Sequence, residues 1–298
     1  MPGVIPAKEL FDPEFLASLT RLHILARRVA RGGRHAEQRS KDMGTGIEFR
    51  DFRPYSPGDD FRAIDWNIYR RLGRVFLRLF EELEDLPVYL LPDVSRSMFA
   101  EDPPRALAGL RCSLALASIA LHQHDSVGLF PFSDTMEVSL RPMAGRGRLM
   151  RFAESMAALE PGGSTDLAAS LGRFTALGLR EGLAVIVSDF FDPQGIDAIL
   201  PALKNLRHRI LLVQLVRKED AKPDIEGDLE LYDCETEHAE DVSITAPVIA
   251  QYKKAYKRFQ SGLTDFARRR NAGLLQLDAE EEVVPQLAAL FETGGYAV

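Results

Sequence analysis

From residue 86 onward the chain alternates short apolar runs with longer stretches of helical character, and this rhythm limits its fold more than any other feature. The runs at 87–91, 127–132, 183–187, 210–216 and 273–277 are almost continuously apolar. Strands buried on both faces read this way, whereas half-exposed strands alternate apolar with polar residues. Segments at 104–122, 147–158, 167–178, 194–205, 247–270 and 282–292 are predicted helices, and Met136-Glu137-Val138-Ser139-Leu140 alternates like an edge strand. Strands that alternate with helices predict an α/β domain with a mostly parallel central sheet flanked by helices. Residues 219–245 are acidic and mixed, and the pattern assigns them no element or role.

The front of the chain differs. Asp12-Pro13-Glu14 reads as a helix start, with a capping carboxylate, proline at the first helical position and an early acid. Leu16, Leu19, Leu22 and Leu25 follow at near-helical spacing, and Gly32-Gly33 ends the pattern. Residues 34–60 are rich in turn formers, and 75–80 reads as a strand. The expected organisation is an N-terminal helical arm at 1–43, a segment at 44–85 packed on the main domain, and the main domain at 86–298.

Charge excludes some functions. The 298 residues carry 37 basic and 44 acidic side chains, a net charge of -7, which argues against a nucleic-acid binder. The balance is uneven, with 15 basic against 10 acidic residues in 1–80. Arg27, Arg28, Arg31 and Arg34 make a basic face; a solvated helix face is the simpler reading, and peripheral contact with an anionic membrane surface is the alternative. No apolar run approaches the ~18 residues that span a bilayer. The two cysteines, Cys112 and Cys234, form no metal motif and fit a reducing compartment, so a cytoplasmic location is expected.

Open parallel sheets bind ligands beyond the carboxyl ends of their strands. Asp93-Val94-Ser95-Arg96-Ser97 follows the run at 87–91, and Ser188-Asp189 follows the run at 183–187. Gly162-Gly163-Ser164-Thr165-Asp166 lies between them at a helix start, with glycines that allow close backbone approach. In an extended loop, alternate residues point the same way, so Asp93, Ser95 and Ser97 can converge. Carboxylates with neutral hydroxyls suit Mg²⁺, which takes oxygen ligands and keeps several waters. They also leave a divalent cation under-neutralised, which favours a further anionic ligand such as a partner's carboxylate. Each segment alone reads more simply as a helix cap or turn, and it is the three together, at the right strand ends and in order, that reverse this.

Together the three segments resemble the metal-ion-dependent adhesion site of von Willebrand factor type A domains. Upstream, Glu48-Phe49-Arg50-Asp51-Phe52-Arg53-Pro54-Tyr55-Ser56-Pro57-Gly58-Asp59-Asp60-Phe61-Arg62-Ala63-Ile64-Asp65-Trp66 resembles the signature of the bacterial domain of unknown function 58 family, which sits just before that first strand end. The resemblance implies a Rossmann-like von Willebrand factor A-type domain. It also implies an Mg²⁺ or Mn²⁺ site at Asp93, Ser95, Ser97, Thr165 and Asp189, and a MoxR-type AAA ATPase as partner. Many members carry membrane helices ahead of the domain, and no such helix is read here.

Alternating charges across 48–71 suggest salt bridges that pin this segment, with Tyr55, Phe61 and Trp66 as buried anchors. The chain shows no Gly-x-Ser-x-Gly elbow and no Walker A loop, and the second acid of an Asp-x-Asp phosphotransferase motif is Ser95 here. The expected function is a non-enzymatic, metal-dependent protein-interaction module, an adaptor or co-chaperone for the ATPase, to which a partner Asp or Glu supplies a metal ligand. The alternatives are a metal-dependent hydrolase using Asp93 and Asp189, or a metal-free scaffold acting through residues 40–80.

Overall fold

The computed structural model describes residues 4–20, 22, 47–56, 59, 61, 64–82, 86–236 and 238–293. The chain forms two compact units, Arg34–Asp85 on one hand and Met1–Gly33 with Leu86–Val298 on the other. The basic run at 27–34 and the end of the first predicted helix lie outside the described residues.

In the smaller unit, β1 (Ile47–Pro54) pairs antiparallel with β2 (Phe76–Glu82), and α1 (Trp66–Leu72) lies between them in sequence. Asp65 starts α1 by accepting hydrogen bonds from the Asn67 and Ile68 amides at 2.8 and 3.1 Å, as helix-capping carboxylates do. Gly73 ends it at φ +65°, a left-handed conformation that glycine adopts freely. Arg53 and Asp59 pair at 2.7 Å. Two of the expected anchors are instead exposed: Phe61 is 67% and Trp66 58% accessible. Buried Ile64 and Leu77, bridged across the backbone, fill the interior position in their place.

The larger unit is built on a six-stranded sheet. Its strands are β3 (Val88–Pro92), β4 (Val127–Leu129), β5 (Leu140–Met143), β6 (Leu183–Ser188), β7 (Arg209–Val216) and β10 (Gly273–Asp278). They lie in the order β10-β7-β6-β3-β4-β5. All neighbours are parallel except β5, which runs antiparallel to β4 at the edge. The predicted edge strand therefore sits later in the chain, at Leu140–Met143. Residues 133–139 form the turn leading to it, where Met136 makes only an isolated bridge to Phe132.

Alternate residues of each buried strand enter different cores. Val88, Leu90, Val185, Val187, Leu211 and Val213 face one, with α2 (Arg105–His122), α3 (Leu149–Ala157) and α7 (Val283–Thr293). Tyr89, Leu91, Ala184, Ile186, Ile210 and Leu212 face the other, with α4 (Leu167–Ala176), α5 (Ile196–Lys204) and α6 (Ala246–Arg270). This two-sided burial explains why the strands are apolar throughout.

Residues 13–20 are helical, and the Asp12 carboxylate accepts the Phe15 amide at 2.7 Å. Ile5, Leu10, Phe15, Leu19 and Leu22 are buried in the first core, and Arg111 on α2 pairs with Asp12 at 2.6 Å. Residues 1–33 thus belong to the larger unit, whereas the sequence pattern sets 1–43 apart as an arm. The physical reason is the apolar stripe, which has a sheet-covering core to enter. The unassigned acidic stretch contains a two-stranded hairpin, β8 (Gly227–Tyr232) and β9 (Ala239–Ile244).

Candidate functional site

The strand order reverses direction at β3, which has β4 on one side and β6 on the other. Loops leave a doubly wound sheet in opposite directions at such a point and open a crevice. Asp93 directly follows β3 and Asp189 directly follows β6. Both are nearly fully buried, at 2% and 5% exposed. Phe190, next to Asp189, has φ +62°, a left-handed conformation that costs a large L-residue roughly 1 kcal/mol or more. That backbone places its ring in the core and turns the chain sharply beyond Asp189.

The hydrogen bonds tie these loops into one constellation. Ser188 Oγ donates to Asp93 Oδ2 at 2.6 Å, and the Ser95 amide donates to Asp93 Oδ1 at 2.9 Å. Ser95 Oγ lies 3.1 Å from Ser97 Oγ. Asp189 Oδ1 accepts the Phe191 amide at 2.9 Å. The glycine loop is held by the Gly162 amide donating to Val94 O at 2.6 Å, and by the Arg96 amide donating to Gly163 O at 3.1 Å. Thr165, 4% exposed, completes the group from the loop that precedes α4.

The glycines are needed for contact here. A Cβ on Gly162 would lie 2.4 Å from Ser133 Oγ and 2.6 Å from Ser133 Cβ, and one on Gly163 would lie 2.8 Å from Asp134 Oδ2. Gly162→Ala is therefore expected to displace the loop and cost about 1–3 kcal/mol of stability, as overpacking does. A thermal melt of the variant reads this directly, and an unchanged midpoint would contradict the close approach.

Sequence reasoning missed two parts of the site. Ser133-Asp134, beyond β4, form a fourth loop against the glycines, and their polar residues after a short strand were a readable signal. Glu235, at the tip of the β8–β9 hairpin, is the other. It accepts Ser97 Oγ at 2.8 Å and Thr165 Oγ1 at 2.8 Å on Oε1, and the Thr165 amide at 3.0 Å on Oε2. No local motif announces it, because only the tertiary fold brings a residue 70 positions beyond Thr165 to that place.

Electrostatics favour a cation. Burial raises Asp93 to about 6, opposed by the hydroxyl and amide bonds from Ser188 and Ser95 and reinforced by the negative charge of Glu235. Burial raises Asp189 to about 7, with repulsion from Asp93 adding to it; the Phe191 amide and the charge of Arg105 pull the other way. Two buried carboxylates that resist ionisation on their own suit a site completed by a metal ion. The donors are hard oxygens from carboxylates and hydroxyls, which fits Mg²⁺ or Mn²⁺. Among the described residues, no group of three or more His, Cys, Asp or Glu side chains is arranged to hold a metal. The hydroxyls of Ser95, Ser97 and Thr165 would therefore have to contribute.

Residues 51–261 match the family described as protein of unknown function DUF58. The chain belongs to the DUF58 family. Among similar proteins, the uncharacterized protein Rv1480 of Mycobacterium tuberculosis is 25% identical over 280 residues, which cover 92% of this chain and 88% of that protein. The uncharacterized protein MAV169 of Mycobacterium avium is 28% identical over 123 residues, 41% of this chain and 72% of that protein. Among solved structures, BatB from Bacteroides thetaiotaomicron covers 70% of this chain and 98% of its own, at 16% identity and a TM-score of 0.43. An aerotolerance-related membrane protein from Bacteroides fragilis covers 70% and 99%, at 15% identity and a TM-score of 0.42. The larger unit of this DUF58 protein is an α/β domain, with the mixed, mostly parallel sheet described above flanked by helices. Among its described residues, no helix is long and apolar enough to cross a membrane.

Proposed function

We propose that this DUF58 protein is a metal-dependent protein-interaction module, without catalytic activity of its own. Asp93, Ser95, Ser97, Thr165 and Asp189 would hold Mg²⁺ or Mn²⁺, and the ion would supply an electrophilic point to which a partner's Asp or Glu binds. The single observation that carries this reading is the convergence of hydroxyls from two loops, Ser97 Oγ and Thr165 Oγ1, on one carboxylate oxygen beside buried Asp93. The hydroxyls and the Thr165 amide form a cradle shaped for a carboxylate, and Asp93 and Asp189 would supply negative charge to the ion. A hydrolase would need a general base free to activate water, whereas both strand-end carboxylates are assigned here to the ion. The proposed partner is a MoxR-type AAA ATPase, with the protein as its adaptor or co-chaperone in a cytoplasmic setting; family resemblance supports that choice.

Calorimetric titration of Mn²⁺ and Mg²⁺ into metal-stripped protein tests the site. Saturable binding is expected in the wild type, and Asp93→Ala should weaken it by roughly 100-fold or more, since loss of even an outer-shell partner costs 10–100-fold. Equal binding by both proteins would place the ion elsewhere. Retention of a MoxR-type ATPase with Mg²⁺, and its release by chelator, tests the partner.

A further inference from the structure

The carboxylate cradle already contains a carboxylate of this chain. Glu235 spans the site: its Oε1 meets hydroxyls from the β3 loop and the α4 loop, and its Oε2 meets the Thr165 amide. The hairpin tip is constructed to present it. Asp233 Oδ1 accepts the amides of Glu235 at 2.8 Å and Thr236 at 3.3 Å, and its Oδ2 accepts Thr236 Oγ1 at 2.7 Å. The Asp233 amide closes the turn on His238 O at 2.8 Å. A turn stiffened in this way holds one side chain outward at little further entropy cost. The strands behind it, β8 and β9, are largely exposed, so the hairpin has little apolar burial to fix its position.

The geometry points to Glu235 as a tethered ligand of the site, a carboxylate that the chain supplies to itself and that an incoming acidic partner must displace. This rests on the interaction-module reading and specifies its partner chemistry: an Asp or Glu held out from a tight turn, as Glu235 is. The hydroxyls suit the arrangement with or without an ion, since Ser97 and Thr165 can donate their protons to a carboxylate while their lone pairs face a metal. A tethered carboxylate acts at a high effective concentration, so a free one competes poorly until the tether opens.

The test compares wild type with Glu235→Ala and Glu235→Gln, the latter keeping the side chain's shape. In metal-free protein, hydrogen exchange is followed in peptides spanning Thr165 and the hairpin. Exchange there is expected to quicken about 10-fold or more in both variants. In Mn²⁺-loaded protein, acetate is titrated as the carboxylate probe, with water-proton relaxation as the readout. Both variants should bind acetate at a concentration at least about 10-fold lower than the wild type does. Unchanged exchange, or equal acetate binding by wild type and variants, overturns the tethered-ligand assignment. If Mn²⁺ binds none of the three proteins, the metal-module reading fails instead, and the exchange result alone decides whether Glu235 latches the hairpin.

Discussion

Asp189→Asn should make the metal-free protein more stable at pH 8, by about 2–4 kcal/mol, while abolishing its response to Mg²⁺. Asp189 is buried and raised to about 7 from an ordinary 3.8. A carboxyl whose folded value lies above its unfolded value favours folding at acid pH, and this stabilisation is lost as pH rises through the folded value. For Asp189 the loss falls between about pH 4 and pH 7, and each pH unit separating the folded from the unfolded value is worth about 1.4 kcal/mol. Asparagine keeps the Oδ1 that accepts the Phe191 amide and never ionises, so its profile should be flatter across that window. Near pH 4, where the wild-type carboxyl is protonated as well, the two proteins should converge. An added divalent cation should reverse the order at pH 8, stabilising only the protein with two carboxylates. Urea unfolding from pH 4 to 8, with and without Mg²⁺, gives all four comparisons. A wild type whose metal-free stability does not fall over that range would refute the assigned burial cost.

Arg105→Met is expected to destabilise the fold by about 3–5 kcal/mol, the usual cost of removing one partner from a buried ion pair. Arg105 opens α2 and is almost fully buried. Its guanidinium forks onto both carboxylate oxygens of Asp220, at 2.5 and 2.8 Å, and reaches Glu101 at 2.8 and 3.0 Å and Leu215 O at 3.3 Å. Glu101 also pairs with Arg217 at 2.9 Å. Methionine fills similar space but leaves Asp220 buried without the guanidinium that neutralises it. Lysine keeps the charge without the planar fork, so Arg105→Lys should recover only part of the loss. The change should also reach the site, because the charge of Arg105 favours ionised Asp189. Weaker Mn²⁺ binding is expected in the methionine variant under conditions where it remains folded. A stability loss below about 1 kcal/mol would mean that the network matters little.

The parallel sheet was readable because its strands are buried on two faces, which forces a continuous apolar run that little else in a globular chain imitates. The capping of residues 13–20 by Asp12 was readable for a similar reason, since one carboxylate satisfying one amide is a local event. The edge strand was misplaced by several residues. Met136 to Leu140 alternates well, yet pairing with β4 is decided by where the turn after Phe132 releases the chain. Trp66 and Phe61 misled in another way: aromatic side chains favour burial on average, but in the smaller unit Ile64 and Leu77 occupy the interior instead.

The class of fold, the strand ends that carry Asp93 and Asp189, and the glycine loop leading to Thr165 were legible in the order of the amino acids. These follow from periodicity and from chemistry within a few residues, which the order of the chain encodes directly. Folding in three dimensions is what sets Ser133-Asp134 against the glycines, pairs Arg105 with Asp220 in the interior, and rests Glu235 on Ser97 and Thr165. Those contacts join residues 29 to 138 positions apart. No local pattern specifies them, because the free energy that holds each pair together exists only once the sheet has brought the loops to one edge.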